Sequence, residues 1–136
     1  MGEASGGLGL YGLGTMGSAL ALNILERGFA LGVANRTAAK VPAFLAEAGP
    51  LAARATAHGS LAALAAALPR PRAVILMVDA GPAVDDSVAA LLPVLLPGDT
   101  VVDCGNADFN DTRRRAADLA ARGLGFLGVG VSGGEE

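Results

Sequence analysis

The chain has 136 residues, a length typical of a single domain that can bury its own core. Hydrophobic residues make up 52% of the chain and aromatic residues only 4%, so this core must be built from Ala, Leu and Val. Ten basic and thirteen acidic residues give a net charge of −3, which provides no electrostatic footprint for nucleic acid or for an anionic membrane.

The beginning of the chain predicts a strand, a glycine turn and a helix. An apolar run at residues 8–12 leads into the sequence GLGTMG, after which apolar residues recur at helical spacing until Gly28. A second apolar run, at residues 29–37, predicts a second strand. The short helix that follows would have Pro42 in its first turn and would end at Gly49.

The middle of the chain continues this alternation. Residues 52–56 are ambiguous and allow a short third strand. A helix that Ser60 can cap and that Pro69 ends comes next. Residues 72–78, with the sequence RAVILMV, form an apolar run without alternation, which is typical of a strand buried on both faces of a parallel sheet.

The last part of the chain repeats the same unit. Pro82 suits the first turn of a helix that continues through Leu92. Residues 100–104 predict another buried strand, and a helix follows with Asn110 as its cap and Gly123 as its stop. A final strand is predicted at residues 126–129.

Strands that alternate with helices predict the α/β class. The expected architecture is a doubly wound parallel sheet covered by helices on both faces, a three-layer α/β/α arrangement of the Rossmann dinucleotide-binding type. No linker or repeat interrupts the pattern, so we expect one domain over residues 1–136.

The first glycine cluster matches the dinucleotide-binding fingerprint G-x-G-x-x-G. Gly12 permits the tight turn, Gly14 lets the backbone approach a pyrophosphate, and Gly17 lets the helix pack closely on the strand. The N-terminus of the helix offers free N–H groups and a positive dipole end to the phosphates. The motif follows a strand and opens a helix, so it predicts coenzyme binding; without a Lys after Gly17, a P-loop for triphosphates is excluded.

The end of the second predicted strand indicates which coenzyme is preferred. An NAD-binding fold usually has an Asp or Glu there for the ribose hydroxyls, whereas this chain has Asn35, Arg36 and Thr37. A guanidinium can pair bidentately with a 2′-phosphate, so Arg36 favours NADP. The alternative interpretation is a solvated surface Arg after a strand.

Polar residues after the fifth predicted strand allow two interpretations. Asn106 lies just beyond the carboxyl end of that strand, where open α/β sheets bind ligands, although a turn-forming Asn next to a Gly is the more common explanation. Asp103 can brace the same loop. The RRR run at residues 113–115 is most simply the solvated face of a helix, and Cys104 is expected to be buried rather than reactive.

Other site types find no support in the sequence. One cysteine, Cys104, and one histidine, His58, make neither an intramolecular disulfide nor a zinc ligand set, and His58 is expected at the surface in a turn. The amino terminus lacks the basic region of a signal peptide, and every apolar run is interrupted before about 18 residues. We therefore expect a soluble, cytoplasmic protein without a metal site.

Four segments together resemble the amino-terminal coenzyme domain of the 6-phosphogluconate dehydrogenase family, the decarboxylating NADP enzymes of the pentose phosphate pathway. They are GLGTMGSALALNILERGF, NRT, LMVDAG and DCGNADFNDTRRRAADLAARGLGFLGVGVSGGEE, and they span nearly the whole chain in the family's order and spacing. The last segment is specific, because the related β-hydroxyacid dehydrogenases share the fingerprint and an SGG but usually differ around the GN.

The resemblance implies a role for each matching position. It implies that the coenzyme pyrophosphate is held by Gly12, Leu13, Gly14, Thr15, Met16 and Gly17. It implies that the adenosine 2′-phosphate is held by Asn35, Arg36 and Thr37, and that the coenzyme near its nicotinamide end is lined by Val78, Asp79 and Ala80. It further implies that Asn106 touches both coenzyme and substrate, and that 6-phosphogluconate is bound by Asn106, Ser132, Gly133 and Gly134.

Two positions depart from the family pattern. Asp79 stands where the family usually has a Lys, which puts an anion near a polyanionic coenzyme, and Cys104 replaces the first Gly of the usual GGN. The resemblance also implies that the family's general-base Lys and general-acid Glu follow residue 136, and that an all-helical domain builds its homodimer. We therefore expect these residues to bind NADP without turnover and to expose an apolar face that promotes self-association. Two alternatives stay open: a β-hydroxyacid dehydrogenase fragment, or a stand-alone, non-catalytic NADP-binding module.

Overall fold

The computed structural model of the chain describes residues 7–79, 81–105 and 109–129. Within these ranges, six strands alternate with helices. The strands are β1 (Gly7–Tyr11), β2 (Leu31–Ala34), β3 (Ala55–Ala57), β4 (Arg72–Leu76), β5 (Thr100–Asp103) and β6 (Gly125–Gly128). The α-helices are α1 (Thr15–Glu26), α2 (Lys40–Ala48), α3 (Leu61–Ala67), α4 (Pro82–Leu91) and α5 (Phe109–Ala120), and a 3₁₀ helix, Gly49–Arg54, follows α2.

The six strands form one parallel sheet in the order β3-β2-β1-β4-β5-β6. Leu10 of β1 is paired with Val33 on one side and with Ile75 on the other, so β1 and β4 are adjacent at the centre. The chain builds outward from β1 in one direction and from β4 in the other. This reversal of strand order between β1 and β4 leaves a crevice at the carboxyl edge, and it confirms the predicted doubly wound fold.

Two hydrophobic clusters cover the two faces of the sheet, because successive side chains along a strand point to opposite faces. Leu10 and Ile75 pack with the buried side chains of α1 and α2, including Leu25 and Phe44. The opposite cluster packs the other residues of the central strands against α3, α4 and α5, and its members include Val74, Leu76, Val101, Leu64, Leu91 and Leu119. The crossover from β3 to β4 therefore switches the chain from one helical layer to the other.

The predicted boundaries needed adjustment at several elements. The ambiguous third strand exists, at Ala55–Ala57, but the 3₁₀ helix precedes it. β2 ends at Ala34, before the polar turn that follows, and begins after Phe29, which is exposed. The Ser60 hydroxyl accepts a hydrogen bond from the N–H of Ala63, which confirms the predicted cap of α3.

The predicted cap of α5 was wrong. The helix begins at Phe109, so Asn110 lies inside its first turn and cannot act as the residue that precedes the helix. Asp111 lies in the same turn, where a carboxylate interacts favourably with the positive end of the helix dipole. In the part of the chain that the structure describes, every helix is too short or too polar to cross a bilayer.

Candidate functional site

The three glycines of the fingerprint have different steric environments. Gly12 has φ +111°, and a Cβ there would overlap the carbonyl oxygen of Met77. A Cβ on Gly17 would overlap the carbonyl oxygen of Gly12, so α1 could not lie as close to the end of β1. A Cβ on Gly14 would meet no atom within 4 Å. The fold therefore requires glycine at positions 12 and 17, whereas Gly14 opens its backbone to the space above the sheet.

The N-terminus of α1 faces the same space. Gly14 occupies the position before the helix and supplies no side-chain cap, and no acidic residue lies in the first turn. The first backbone N–H groups of a helix have no acceptor within it, and they carry the positive end of the dipole. Thr15 and Met16 are exposed at this end. The geometry suits an anionic group that approaches Gly14, as a pyrophosphate would.

Asn35 braces the glycine loop from the end of β2. Its Oδ1 accepts a hydrogen bond of 2.6 Å from the N–H of Leu13, and its Nδ2 donates to the carbonyl oxygen of Thr37 at 3.1 Å. The side chain of Leu13 is buried in the core beneath the loop. The role of Asn35 in the structure is therefore to hold the glycine loop against the turn after β2, while its predicted contact with a phosphate stays a prediction.

A cleft of about 740 Å³ lies at the carboxyl edge of the sheet, at the reversal point between β1 and β4. Its volume is within the usual range for small-molecule and cofactor sites, about 300–1,000 Å³. The residues expected from the sequence that line it are Gly12, Gly14, Asn35, Arg36, Val78 and Asp79. The structure thus brings together the glycine loop, the turn after β2 and the residues after β4.

Besides Ser60, Leu61 and Ala62 at the start of α3, sequence reasoning missed a longer wall of this cleft, which α4 supplies. Ala83, Asp86, Ser87 and Ala90 line it, at the spacing that places four residues on one helical face. Ser87 is buried and donates its hydroxyl hydrogen to the carbonyl oxygen of Ala83 at 2.8 Å. This run of small and polar residues at positions i, i+3, i+4 and i+7 was a signal that could have identified the wall.

The charged residues of the cleft are divided between its two ends. Arg36 is exposed after β2 and, among the residues described, has no ion-pair partner. Asp79 is exposed after β4, and Asp86 lines the same cleft from α4. The end nearest β2 therefore presents a cation, and the end nearest β4 presents carboxylates. A ligand that carries a phosphate at only one end would therefore bind with that phosphate beside Arg36, away from the carboxylates.

Several predicted site residues lie outside the described residues: Ala80, Asn106, Ser132, Gly133 and Gly134. The residues just before Asn106 are described. The N–H of Gly105 donates to Asp103 Oδ1 at 2.9 Å, which confirms that Asp103 braces this loop. The N–H of Cys104 donates to the carbonyl oxygen of Leu76 at 3.0 Å, so the pairing of β5 with β4 continues up to the loop.

The predictions for His58, Cys104 and the arginine run had different outcomes. His58 was expected at the surface, but the structure has it half-buried, with its Nε2 2.9 Å from the Thr56 hydroxyl. Cys104 is buried, and burial together with the charge of Asp103 raises the pKa of its thiol, so it is not a reactive thiolate. The prediction that residues 113–115 form a solvated face was wrong for Arg115, which is 3% exposed and bound to Asp85.

Comparison with known proteins gives a consistent result. A family model described as the NAD binding domain of 6-phosphogluconate dehydrogenase matches residues 7–136. The chain is 52% identical over 128 residues to the decarboxylating 6-phosphogluconate dehydrogenase of Synechococcus elongatus, covering 94% of this chain. It is 44% identical over 133 residues to the human enzyme of the same name, covering 98% of this chain.

A solved structure shows the same likeness. The Plasmodium falciparum 6-phosphogluconate dehydrogenase, studied in its apo form and with NADP+ or 6-phosphogluconate, superposes with a TM-score of 0.82 at 33% identity. The match covers 90% of this chain and 27% of that one. The chain likewise spans about 27% of the length of the two curated relatives described above.

Proposed function

Because the chain belongs to the 6-phosphogluconate dehydrogenase family, as its coenzyme-binding domain, we propose that it binds NADP for the oxidative decarboxylation of 6-phosphogluconate. The proposal rests chiefly on one observation: the open backbone at Gly14 and the exposed Arg36 line the same cleft. The first suits a pyrophosphate at a helix N-terminus, and the second a 2′-phosphate after β2.

We propose that different parts of the coenzyme bind to different residues along the cleft. Gly14 and the first turn of α1 bind the pyrophosphate through backbone N–H groups. Arg36 and Thr37 bind the adenosine 2′-phosphate, while Asn35 fixes the turn that carries them. Val78 and Asp79 line the cleft beyond β4, and we assign them to the nicotinamide half. We assign Ala80 to the same role from the family resemblance.

The proposed reaction takes a hydride from C3 of 6-phosphogluconate. Bound NADP supplies the hydride acceptor, and the 3-keto sugar acid then loses carbon dioxide to give ribulose 5-phosphate. We assign contact with both coenzyme and substrate to Asn106, and contact with the sugar acid to Ser132, Gly133 and Gly134. The family relatives are nearly four times as long as the matched segment. We propose that their acid, base and dimerisation residues belong to that remaining length, and that this chain acts in the cytoplasm.

These residues alone should therefore bind coenzyme without completing the reaction. General acid–base catalysis requires a positioned acid and base as well as a hydride acceptor. The measurement is the absorbance of NADPH after NADP and 6-phosphogluconate are mixed with the 136-residue chain. Appreciable turnover by this chain would contradict the proposal that the chemistry needs residues outside it.

Coenzyme preference tests the role of Arg36. If Arg36 binds the 2′-phosphate, the Kd for NADP is lower than the Kd for NAD. NADP should then raise the melting temperature more than NAD at equal concentration, because the stabilisation by a ligand is RT ln(1 + [L]/Kd). Arg36→Ala should lower the affinity for NADP about ten-fold or more, since it removes a charge-assisted hydrogen bond, and should leave NAD binding nearly unchanged.

Arg27→Ala is the matched control for this measurement. Arg27 is also exposed, but it follows the carboxyl end of α1, away from the cleft, where its Nε donates to Asn23. This variant removes the same charge and should keep the preference for NADP. Equal stabilisation of the unaltered chain by NAD and NADP would show that Arg36 does not select the coenzyme.

A further inference from the structure

Arg115 on α5 joins elements that are distant in sequence. Its Nε lies 2.9 Å from Asp85 Oδ1, and its Nη2 lies 3.2 Å from Asp85 Oδ2, so the two groups form a bidentate pair. The same Nη2 donates to the carbonyl oxygen of Gly81 at 3.2 Å. Arg115 therefore binds both the residue that precedes α4 and the first turn of that helix.

A third group lies close to Arg115 but is not hydrogen-bonded to it. Asp103 Oδ2 is 3.9 Å from Arg115 Nη1, and neither of these buried atoms has a hydrogen-bond partner among the described residues. Asp103 is completely buried at the end of β5, and its other oxygen accepts the N–H of Gly105. Burial of such charges costs several kcal/mol per ion, so the pair is weak evidence for a purely stabilising role.

The two loops that Arg115 connects both follow strands at the carboxyl edge of the sheet. Gly81 and Asp85 come after β4, and Asp103 and Gly105 come at the end of β5. The strands themselves are paired, with Leu76 opposite Asp103. Arg115 thus holds Gly81 and Asp85 beside Asp103, the last residue of β5.

Neither Arg115 nor Asp85 lines the coenzyme cleft, whereas Val78, Asp79 and Asp86 do. The hydrogen bond from Arg115 lowers the pKa of the Asp85 carboxyl, so this pair is fully charged at neutral pH. Any effect of Arg115 on a ligand must therefore pass through the loops that it holds.

We propose that Arg115 is a positioning residue for the nicotinamide half of the coenzyme, an inference that rests on the proposed NADP function. In a doubly wound sheet a dinucleotide lies across the reversal point, with its adenosine half over β1 and β2 and its other half over β4 and β5. The loops that Arg115 joins are on the second side. The adenosine half depends instead on the glycine loop and on Arg36.

A second buried Arg–Asp pair provides a matched control at the opposite edge of the sheet. Arg72, the first residue of β4, donates from Nε to Asp99 Oδ2 at 3.0 Å and from Nη1 to the carbonyl oxygen of Ala65 at 3.0 Å. Arg72 and Asp99 are both buried. Substitution there disturbs a comparable network at the amino end of the strands, without touching the loops above β4 and β5.

The test compares the affinities for NADP and for adenosine 2′,5′-bisphosphate, which carries the adenosine half alone. Calorimetric titrations would use the unaltered chain, Arg115→Lys, Asp85→Asn and the control Arg72→Lys, at a temperature where circular dichroism shows each to be folded. The first two variants should bind NADP about ten-fold more weakly, while their affinity for the bisphosphate changes by less than about two-fold. Arg72→Lys should leave both affinities unchanged.

Several results would overturn the inference. One is an equal loss of both affinities in Arg115→Lys and Asp85→Asn, because a merely structural residue would act on the whole site. Another is an unchanged affinity for NADP in these two variants. Equal affinities of the unaltered chain for the two ligands would also overturn it, since the nicotinamide half would then need no positioning. If Arg115→Lys does not fold, Asp85→Asn decides the matter, because Asp85 is 46% exposed and Asn has the same shape. Failure of the unaltered chain to bind either ligand would instead refute the proposed NADP function.

Discussion

At the scale of single residues, Gly14 is the one glycine of the fingerprint that the packing of the chain does not explain. Gly12 and Gly17 are fixed by carbonyl oxygens that a Cβ would overlap, and both constraints come from within the fold. Gly14 has φ −73° and ψ −165°, which any residue can adopt, and open space around it. This absence of an internal constraint supports the proposal that Gly14 contacts a ligand.

Gly14→Ser separates folding from binding. Serine is a better residue than glycine at the position before a helix, because its hydroxyl can accept a backbone N–H of the first turn. The melting temperature should stay the same or rise, while the affinity for NADP should fall about ten-fold or more as the side chain fills the phosphate position. Thermal unfolding and calorimetric titration measure the two effects.

Gly17→Ala is the contrasting variant at the same loop. It should lower the free energy of unfolding by about 1–3 kcal/mol, since α1 must move away from the carbonyl oxygen of Gly12.

Unchanged NADP binding by Gly14→Ser would show that the space beside Gly14 is not the pyrophosphate site.

At the scale of elements, buried arginines tie helices to strands at both edges of the sheet. Arg115 comes from a run that looks solvated in sequence, yet packing of α5 against α4 buries it beside Asp85. Arg72 starts a strand and binds Asp99, which precedes β5. Asp99 Oδ2 also accepts the N–H of Leu96, so one carboxylate orders the turn between α4 and β5.

This second network predicts a loss of stability in acid. Burial alone would raise the pKa of Asp99, but the N–H groups of Leu96 and Arg72 and the charges of Arg72 and Arg70 outweigh it, and the pKa lies below its ordinary value of 3.8. A carboxyl whose pKa is lowered by folding stabilises the fold above its unfolded pKa, and this contribution is lost as pH falls through the folded pKa. The free energy of unfolding should therefore decrease below about pH 4.

Urea unfolding at a series of pH values checks this dependence. Asp99→Asn should lower the free energy of unfolding at neutral pH by about 3 kcal/mol, because Arg72 is left buried without its partner, and should flatten the acid decline. Asp118→Asn, at an exposed position on α5, should keep the full decline. A decline of unchanged steepness in Asp99→Asn would contradict the assignment.

At the scale of the whole molecule, the sheet is covered on both faces but exposed along β6. Among the residues that the structure describes, this strand is paired on one side only, with β5, and Leu127 and Val129 are 57% and 40% exposed. These two residues are two positions apart, so they share one face. An apolar edge strand with unpaired backbone groups is a site for association with another chain.

We therefore expect the 136-residue chain to self-associate as its concentration rises, and Leu127→Lys to reduce this association. A charge on an edge strand opposes pairing with a second copy. Phe29→Lys is the control, because Phe29 is equally exposed but precedes β2 at the other edge of the strands. Sedimentation that shows a monomer at high concentration for the unaltered chain would contradict the expectation.

The sequence by itself determined the order of strands and helices, the parallel sheet, the glycine turn and the missing carboxylate after β2. These features are local: hydrophobic periodicity, turn residues and motif spacing are all read within a few residues along the chain. The family resemblance rested on the same contiguous segments.

Tertiary structure decided which residues meet across long separations. The brace from Asn35 to Leu13 spans 22 residues and the pair of Arg115 with Asp85 spans 30, and no periodicity encodes either contact. Only the tertiary structure shows that α4 lines the cleft. It also shows that carbonyl oxygens restrict Gly12 and Gly17 but not Gly14. Local patterns specify which elements form, whereas a binding site depends on how those elements pack.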